Sequence, residues 1–151
     1  MIKTFEFASP EWLDAVREAV ESHLNRSPLA GVNYVLGEEF TGVPARLNPA
    51  GKVVGWTIRI RDGVATTSPQ APPPDADQVN IADWSAVEHL AHHVFGADPQ
   101  RDAAVAQEVA GLEASGKVRR IVRRAQPAEL AEAWKPVHNL VVAMTGPRRQ
   151  P

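Results

Sequence analysis

The 151-residue sequence contains no cysteine. Disulfides, thiolate nucleophiles and cysteine-ligated zinc are therefore excluded. It also lacks an excess of either charge: 16 Lys+Arg against 18 Asp+Glu leave a formal −2, so nothing electrostatic points to a polyanionic partner. No apolar run is long enough to span a bilayer, and the opening MIKTFEFASPEW has no core of signal-peptide length. Stable membrane insertion is therefore not expected, and the cytoplasm is the expected compartment. GxSxG, Walker-type and GxGxxG patterns are absent, which leaves no motif for covalent or nucleotide chemistry and implies no cofactor. What remains is ordinary globular material. Hydrophobic residues make up 44% and charged residues 23%, enough for one domain with one core over residues 1–144, ahead of a loose tail at 145–151. Twelve arginines against four lysines, with abundant alanine, fit a GC-rich bacterial genome.

Ser9-Pro10 is a helix start, a capping serine followed by a proline that has no N–H to leave unpaired. Trp12, Leu13, Val16, Val20 and Leu24 then form one apolar stripe, ended by Ser27-Pro28. NYVLGEEFTGVPARL reads as strand and leads into Asn48-Pro49-Ala50-Gly51, which suits a type I turn. Residues 52–68 form a hairpin: Val54, Trp56, Ile58 and Ile60 alternate with Gly55, Thr57, Arg59 and Arg61, and Asp62-Gly63 supplies a type I′ turn. The stiff SPQAPPPDADQ cannot enter a sheet interior, and DQVNI beyond it is a short strand. A helix runs from Asp83 to about Phe95 and stops at Gly96, and a second, weakly amphipathic one runs from Asp98-Pro99 to Gly116 through Val105, Val109 and Leu112. KVRRIVRR at 117–124 fits a helix or a strand. A last helix from Gln126-Pro127 carries Leu130, Trp134, Val137 and Val141 and is divided by Pro136.

The stretch SAVEHLAHHVFG holds three of the five histidines, His89, His92 and His93. His89 and His93, at i and i+4, have the spacing of helical metal ligands. At about 100° per residue, however, Trp84, Val87, Leu90, Ala91, Val94 and Phe95 share one side. His89 and His93 then point to water, with His92 on the flank, and the HExxH order is absent. No metal is expected. His23 falls within the first helix's apolar stripe, and is either a hydrogen-bonded core histidine or a buried general base. The arginines of KVRRIVRR make a solvated face that can pair with Glu108 or Glu113, not a nucleic-acid surface, which would bring net positive charge and interleaved aromatics. Glu38 and Glu39, adjacent on a strand, face opposite ways and cannot act together on one substrate.

GWTIRIRDGVATT, ADQVNIADWSAVEHLAHHVFGADPQ, SGKVRRIV and PAELAEAW, in that order, resemble the sterol carrier protein 2-like family from Trp56 to Trp134. Two departures stand out: Val118 and Ile121 are three apart where the family's GK strand alternates, and the helix from Asp98 replaces a short turn and could act as a different lid. The resemblance implies an α+β fold, a curved and mainly antiparallel sheet covered on one face by helices, with an apolar tunnel between them. A fatty acyl, sterol or polyketide-like ligand would then touch Trp12, Trp56, Ile58, Ile60, Trp84, Leu90, Phe95, Leu130 and Trp134. The same residues could equally fill a closed core. Three roles follow: a carrier, a small cofactor-independent acid/base enzyme using His23 or a glutamate, or an accessory domain for a partner enzyme. The hairpin's outer edge leaves a homodimer open.

Overall fold

A computed structural model describes residues 3–148. Its first helix, α1 (Pro10–Asn25), begins where the sequence places it, with the Ser9 hydroxyl accepting from the Trp12 amide at 3.1 Å. Trp12, Val16, Val20 and Leu24 are buried, each at 2% exposure or less. Their burial contributes about 1.5–3 kcal/mol per large side chain. The strands are β1 (Phe5–Glu6), β2 (Tyr34–Thr41), β3 (Val54–Arg61), β4 (Val64–Ser68), β5 (Gln78–Asp83), β6 (Val118–Val122) and β7 (Thr145–Gly146). The predicted first strand is thus shorter than NYVLGEEFTGVPARL, because the chain turns after Thr41 and Leu47 N–H reaches back to Pro44. Asp62 and Gly63 take the positive φ of the type I′ turn, 49° and 81°.

Among the described residues, five strands pair in the order β4-β3-β2-β5-β6, all antiparallel except β2 with β5. The ambiguous segment 117–124 is therefore strand over Val118–Val122. The parallel pair requires a crossover, and the proline-rich segment supplies it on the face away from the helices. Ala71 lies over Gly55 and Pro72 over Gly37, where any side chain would collide with backbone, and Thr57 Oγ1 donates to the Gln70 carbonyl at 2.7 Å. Proline cannot join the ladder, so the segment lies across it. The structure thus gives this connection a covering role.

On the other face α1 packs against β3 and β4. It also closes the hairpin's outer edge. Asn25 makes two hydrogen bonds to the Ala65 backbone (2.8 and 3.0 Å), and Glu21 accepts from the Thr67 amide and hydroxyl (both 2.9 Å). The edge expected to permit self-association is occupied by these side chains over Ala65–Thr67.

The helix expected from Asp83 to Phe95 is one α-turn, α2 (Trp84–Val87), followed by a 3-10 stretch over Glu88–His92. A 3-10 helix turns 3.0 residues per turn, so the 3.6-residue projection of the histidines fails there. His93 lies just past its end and is 8% exposed, not solvated. α3 (Pro99–Ala114) is capped by Asp98 and has no buried residue. Pro136 separates α4 (Ala128–Trp134) from α5 (Val137–Ala143). The expected loose tail is ordered at its start: Thr145 and Gly146 pair parallel with Phe5 and Glu6, and Thr145 Oγ1 accepts from the Trp12 indole at 3.0 Å. Residues 149–151 of that tail lie outside the described residues. No helix among the described residues is long and apolar enough to cross a membrane.

Substituting Gly55 by alanine places a methyl group against the Glu38 carbonyl and Ala71. The variant should lose about 1–3 kcal/mol, seen as a lower urea midpoint. Gly111→Ala, in the last turn of α3 with nothing within 4 Å, should gain about 0.5 kcal/mol in the same measurement.

Candidate functional site

Between the sheet and the helices lies a cavity of about 340 Å³, within the size range of small-molecule sites. Phe7, Trp12, Phe40, Trp56, Leu90 and Trp134 give it apolar walls, and α3 contributes Val105 and Val109. Phe95 and Arg120 also line it while being 37% exposed and, for the Arg120 side chain, 56% exposed, so the cavity reaches the surface on the β6 side.

The register sets one polar row across this floor. Glu38 pairs with Trp56 on one side and Asn80 on the other, and Asn80 pairs with Arg120. All four line the cavity. The neighbouring row, Val54, Phe40, Ala82 and Val118, is wholly apolar. Trp56 Nε1 donates to Glu38 Oε2 at 3.1 Å. Burial pushes the Glu38 carboxyl above the usual carboxylate value, and the indole N–H offsets part of the rise. Glu38 is half-buried and forms part of the cavity wall. The Gln126 amide donates to Gln78 Oε1 and the Gln78 amide to Asn80 Oδ1, both at 3.2 Å, which fixes the Asn80 side chain.

The histidines serve the roof. His93 Nε2 meets Asp102 at 2.8 Å and His89 Nε2 meets Glu108 at 2.5 Å, so two of the three tie the 3-10 stretch to α3. His92 sits 3.8 Å from Glu88. No group of three His, Asp or Glu among the described residues is arranged to hold a metal ion. Phe95 stands between the rings of His93 (4.6 Å) and His138 (4.8 Å), and Asn139 holds its backbone N–H and carbonyl, each at 2.9 Å.

Of the ligand residues named from sequence, Trp12, Trp56, Leu90, Phe95 and Trp134 line the cavity. Ile58, Ile60, Trp84 and Leu130 are buried in the core without lining it. His23 lies elsewhere: half-buried on the helix flank, it meets the Ala133 carbonyl at 2.8 Å beside Pro28 and Pro136, so it has no access to the cavity. Of the expected arginine partners, Glu113 is 4.0 Å from Arg120, while Glu108 is taken by His89. Asn80, Arg120 and the α3 valines were not anticipated as lining residues. The signal for Glu38 was present: it falls in phase with Tyr34, Leu36 and Phe40, a carboxylate at an apolar position of the alternation.

The chain superimposes on the solution structure of a conserved hypothetical protein from Thermus thermophilus, described as possibly a sterol carrier protein. The match has a TM-score of 0.50 over 98% of this chain and 99% of that one, at 15% identity. The fold is that of a sterol carrier protein 2-like domain. Sterol carrier protein 2 itself matches at TM-score 0.49 and 14% identity, covering 93% of this chain and 100% of that one. The ubiquinone synthesis protein UbiJ-SCP2 matches at 0.42 and 16%, covering 91% and 95%. No protein-family model and no curated protein matches the sequence. Within the SCP2-like frame, the capped helix α3 stands over the cavity and the polar row lies beneath it.

Two outcomes follow. α3 buries no residue, so its attachment leans on the His89 and His93 contacts. His93→Ala should speed amide exchange in α3 by about tenfold and leave α1 unchanged; equal protection in both proteins would refute the tether. Glu38 has a folded pKa above its unfolded one. Its stabilising contribution is therefore full below the unfolded pKa and lost as pH rises through the folded value. Glu38→Gln should remove that loss, so that melting temperatures of the two proteins diverge in the variant's favour from mildly acidic to neutral pH.

Proposed function

We propose that this protein binds and carries a hydrophobic small molecule, a fatty acyl, sterol or polyketide-like ligand, in the cavity between sheet and helices. The observation that carries this reading is the cavity itself: a space of about 340 Å³ left between the sheet and the helices that a purely structural core would fill. Apolar walls supply affinity, and the few polar groups supply orientation. The SCP2-like fold supports the reading. A second reading rests on Glu38, a carboxyl on the cavity wall whose burial raises its pKa and so favours the protonated form that can transfer a proton to a bound substrate. It would make the protein a cofactor-independent enzyme using the same cavity.

Trp12, Trp56 and Trp134 line the space, so a ligand that fills it should quench or shift tryptophan emission. It should also stabilise the fold, by about 2.7 kcal/mol at a hundredfold excess over Kd. Acyl chains, sterols and polyketides titrated into protein checked by native mass spectrometry for co-purified mass would test this. Neither an emission change nor a rise in melting temperature with any of them would sink the carrier reading. Turnover of a bound ligand that is lost in Glu38→Gln while binding survives would establish the enzyme reading.

A further inference from the structure

Two of the groups that the polar row brings to the cavity, Asn80 and Arg120, offer it donors. Asn80 Oδ1 is taken by the Gln78 amide, at the end of the chain that starts at Gln126, which leaves Asn80 Nδ2–H for the cavity. Arg120 has only donors, and the carboxylate beside it, Glu113, stands at 4.0 Å, beyond hydrogen-bond range. Glu38 lines the cavity and has one oxygen occupied by the Trp56 N–H. As a neutral carboxyl it too can donate. The apolar surface begins one row away at Phe40 and Ala82 and continues over Phe7 and Trp12.

We propose that Glu38, Asn80 and Arg120 form a head-group site for an oxygen acceptor, so that the ligand is an apolar chain ending in a carboxylate or ketone and not in an amine. The head lies on the β6 side, where Arg120 meets solvent, and the chain runs inward beneath α1. Adjacent strands are about 4.8 Å apart, so the row from Glu38 to Arg120 spans about 10 Å, long enough to receive a terminal carboxylate at Arg120 and an inner carbonyl at Asn80 and Glu38. This inference rests on the cavity binding an apolar ligand, and it adds which end group the cavity reads.

The test titrates dodecanoate, a methyl ketone of the same chain length and dodecylammonium, each below its micelle concentration, into the full-length protein while following tryptophan emission. Dodecanoate and the ketone should bind about tenfold more tightly than dodecylammonium. Arg120→Leu should remove most of the advantage of dodecanoate and Asn80→Leu that of the ketone. Glu38→Gln, whose amide can still donate, should hold ketone affinity within about threefold. Equal binding of all three probes would overturn the head-group site and leave the carrier reading intact. Tightest binding of dodecylammonium would also overturn it, by showing Glu38 to be an anion in the cavity. Binding of none of them would end both. Unchanged circular dichroism in each variant separates these outcomes from misfolding.

Discussion

The apolar side of the five-stranded sheet must be withdrawn from water, and the helices that cover it never close down on it fully. Trp12 is where that tension is resolved. Its ring packs edge-on against Phe7 (4.9 Å) and Phe40 (6.0 Å), joining α1 to the sheet, while its N–H reaches Thr145, whose hydroxyl donates in turn to the Val141 carbonyl at 2.9 Å. A buried indole needs both an apolar neighbourhood and one acceptor. Supplying the acceptor from the chain's far end brings β7 beside β1 and draws α5 over the core. α1 is thereby held above β3 and β4, and α3 is held above β6 by histidine–carboxylate contacts. The space between the two roofs is the cavity.

A wall made only of apolar side chains would have been easier to stabilise. Glu38 occupies a position that alternation assigns to a residue like Leu36 or Phe40, and burying a carboxyl there costs stability unless it is neutral or well partnered. Among the described residues its side chain takes one hydrogen bond, from the Trp56 indole, so the other oxygen is left for whatever enters the cavity. Asn80 and Gln78 repeat the pattern on β5. That strand turns Asn80 into the cavity, with Gln78 on the same face behind it, and Val79 and Ile81 toward the back face. Polar residues facing inward on two neighbouring strands are a poor way to build a core and a workable way to orient a ligand.

Features carried by local chemistry were legible in the sequence: the Ser9-Pro10 start, the α1 stripe, the Asp62-Gly63 hairpin, the division at Pro136 and, through the resemblance, the fold. What was not legible depends on contacts distant in sequence. Nothing local says that helix 84–95 shortens into a 3-10 stretch, so the projection that sent His93 to solvent failed when Asp102, on the next helix, offered the buried ring a partner. Thr145 looked like tail because its partners, Trp12 and Phe5, are more than a hundred residues away. The glycines at 37 and 55 are explained only by the crossing segment that lies over them.

That crossing also fixes the site. The proline-rich segment passes over β3 and β2 in a set length before β5 begins, and the parallel register of β5 against β2 follows from where it lands. A slip of one residue would reverse the faces of β5, presenting Val79 and Ile81 to the cavity and turning Asn80 away. The cavity would lose Asn80, the middle of its polar row. Two interactions oppose the slip from either side. Thr57 anchors the Gln70 carbonyl behind the sheet, and the Gln126–Gln78–Asn80 amide chain holds the strand from the front. The glycines on the back face and the amides on the front are thus parts of one arrangement, in which packing that never touches the cavity decides which chemistry faces it.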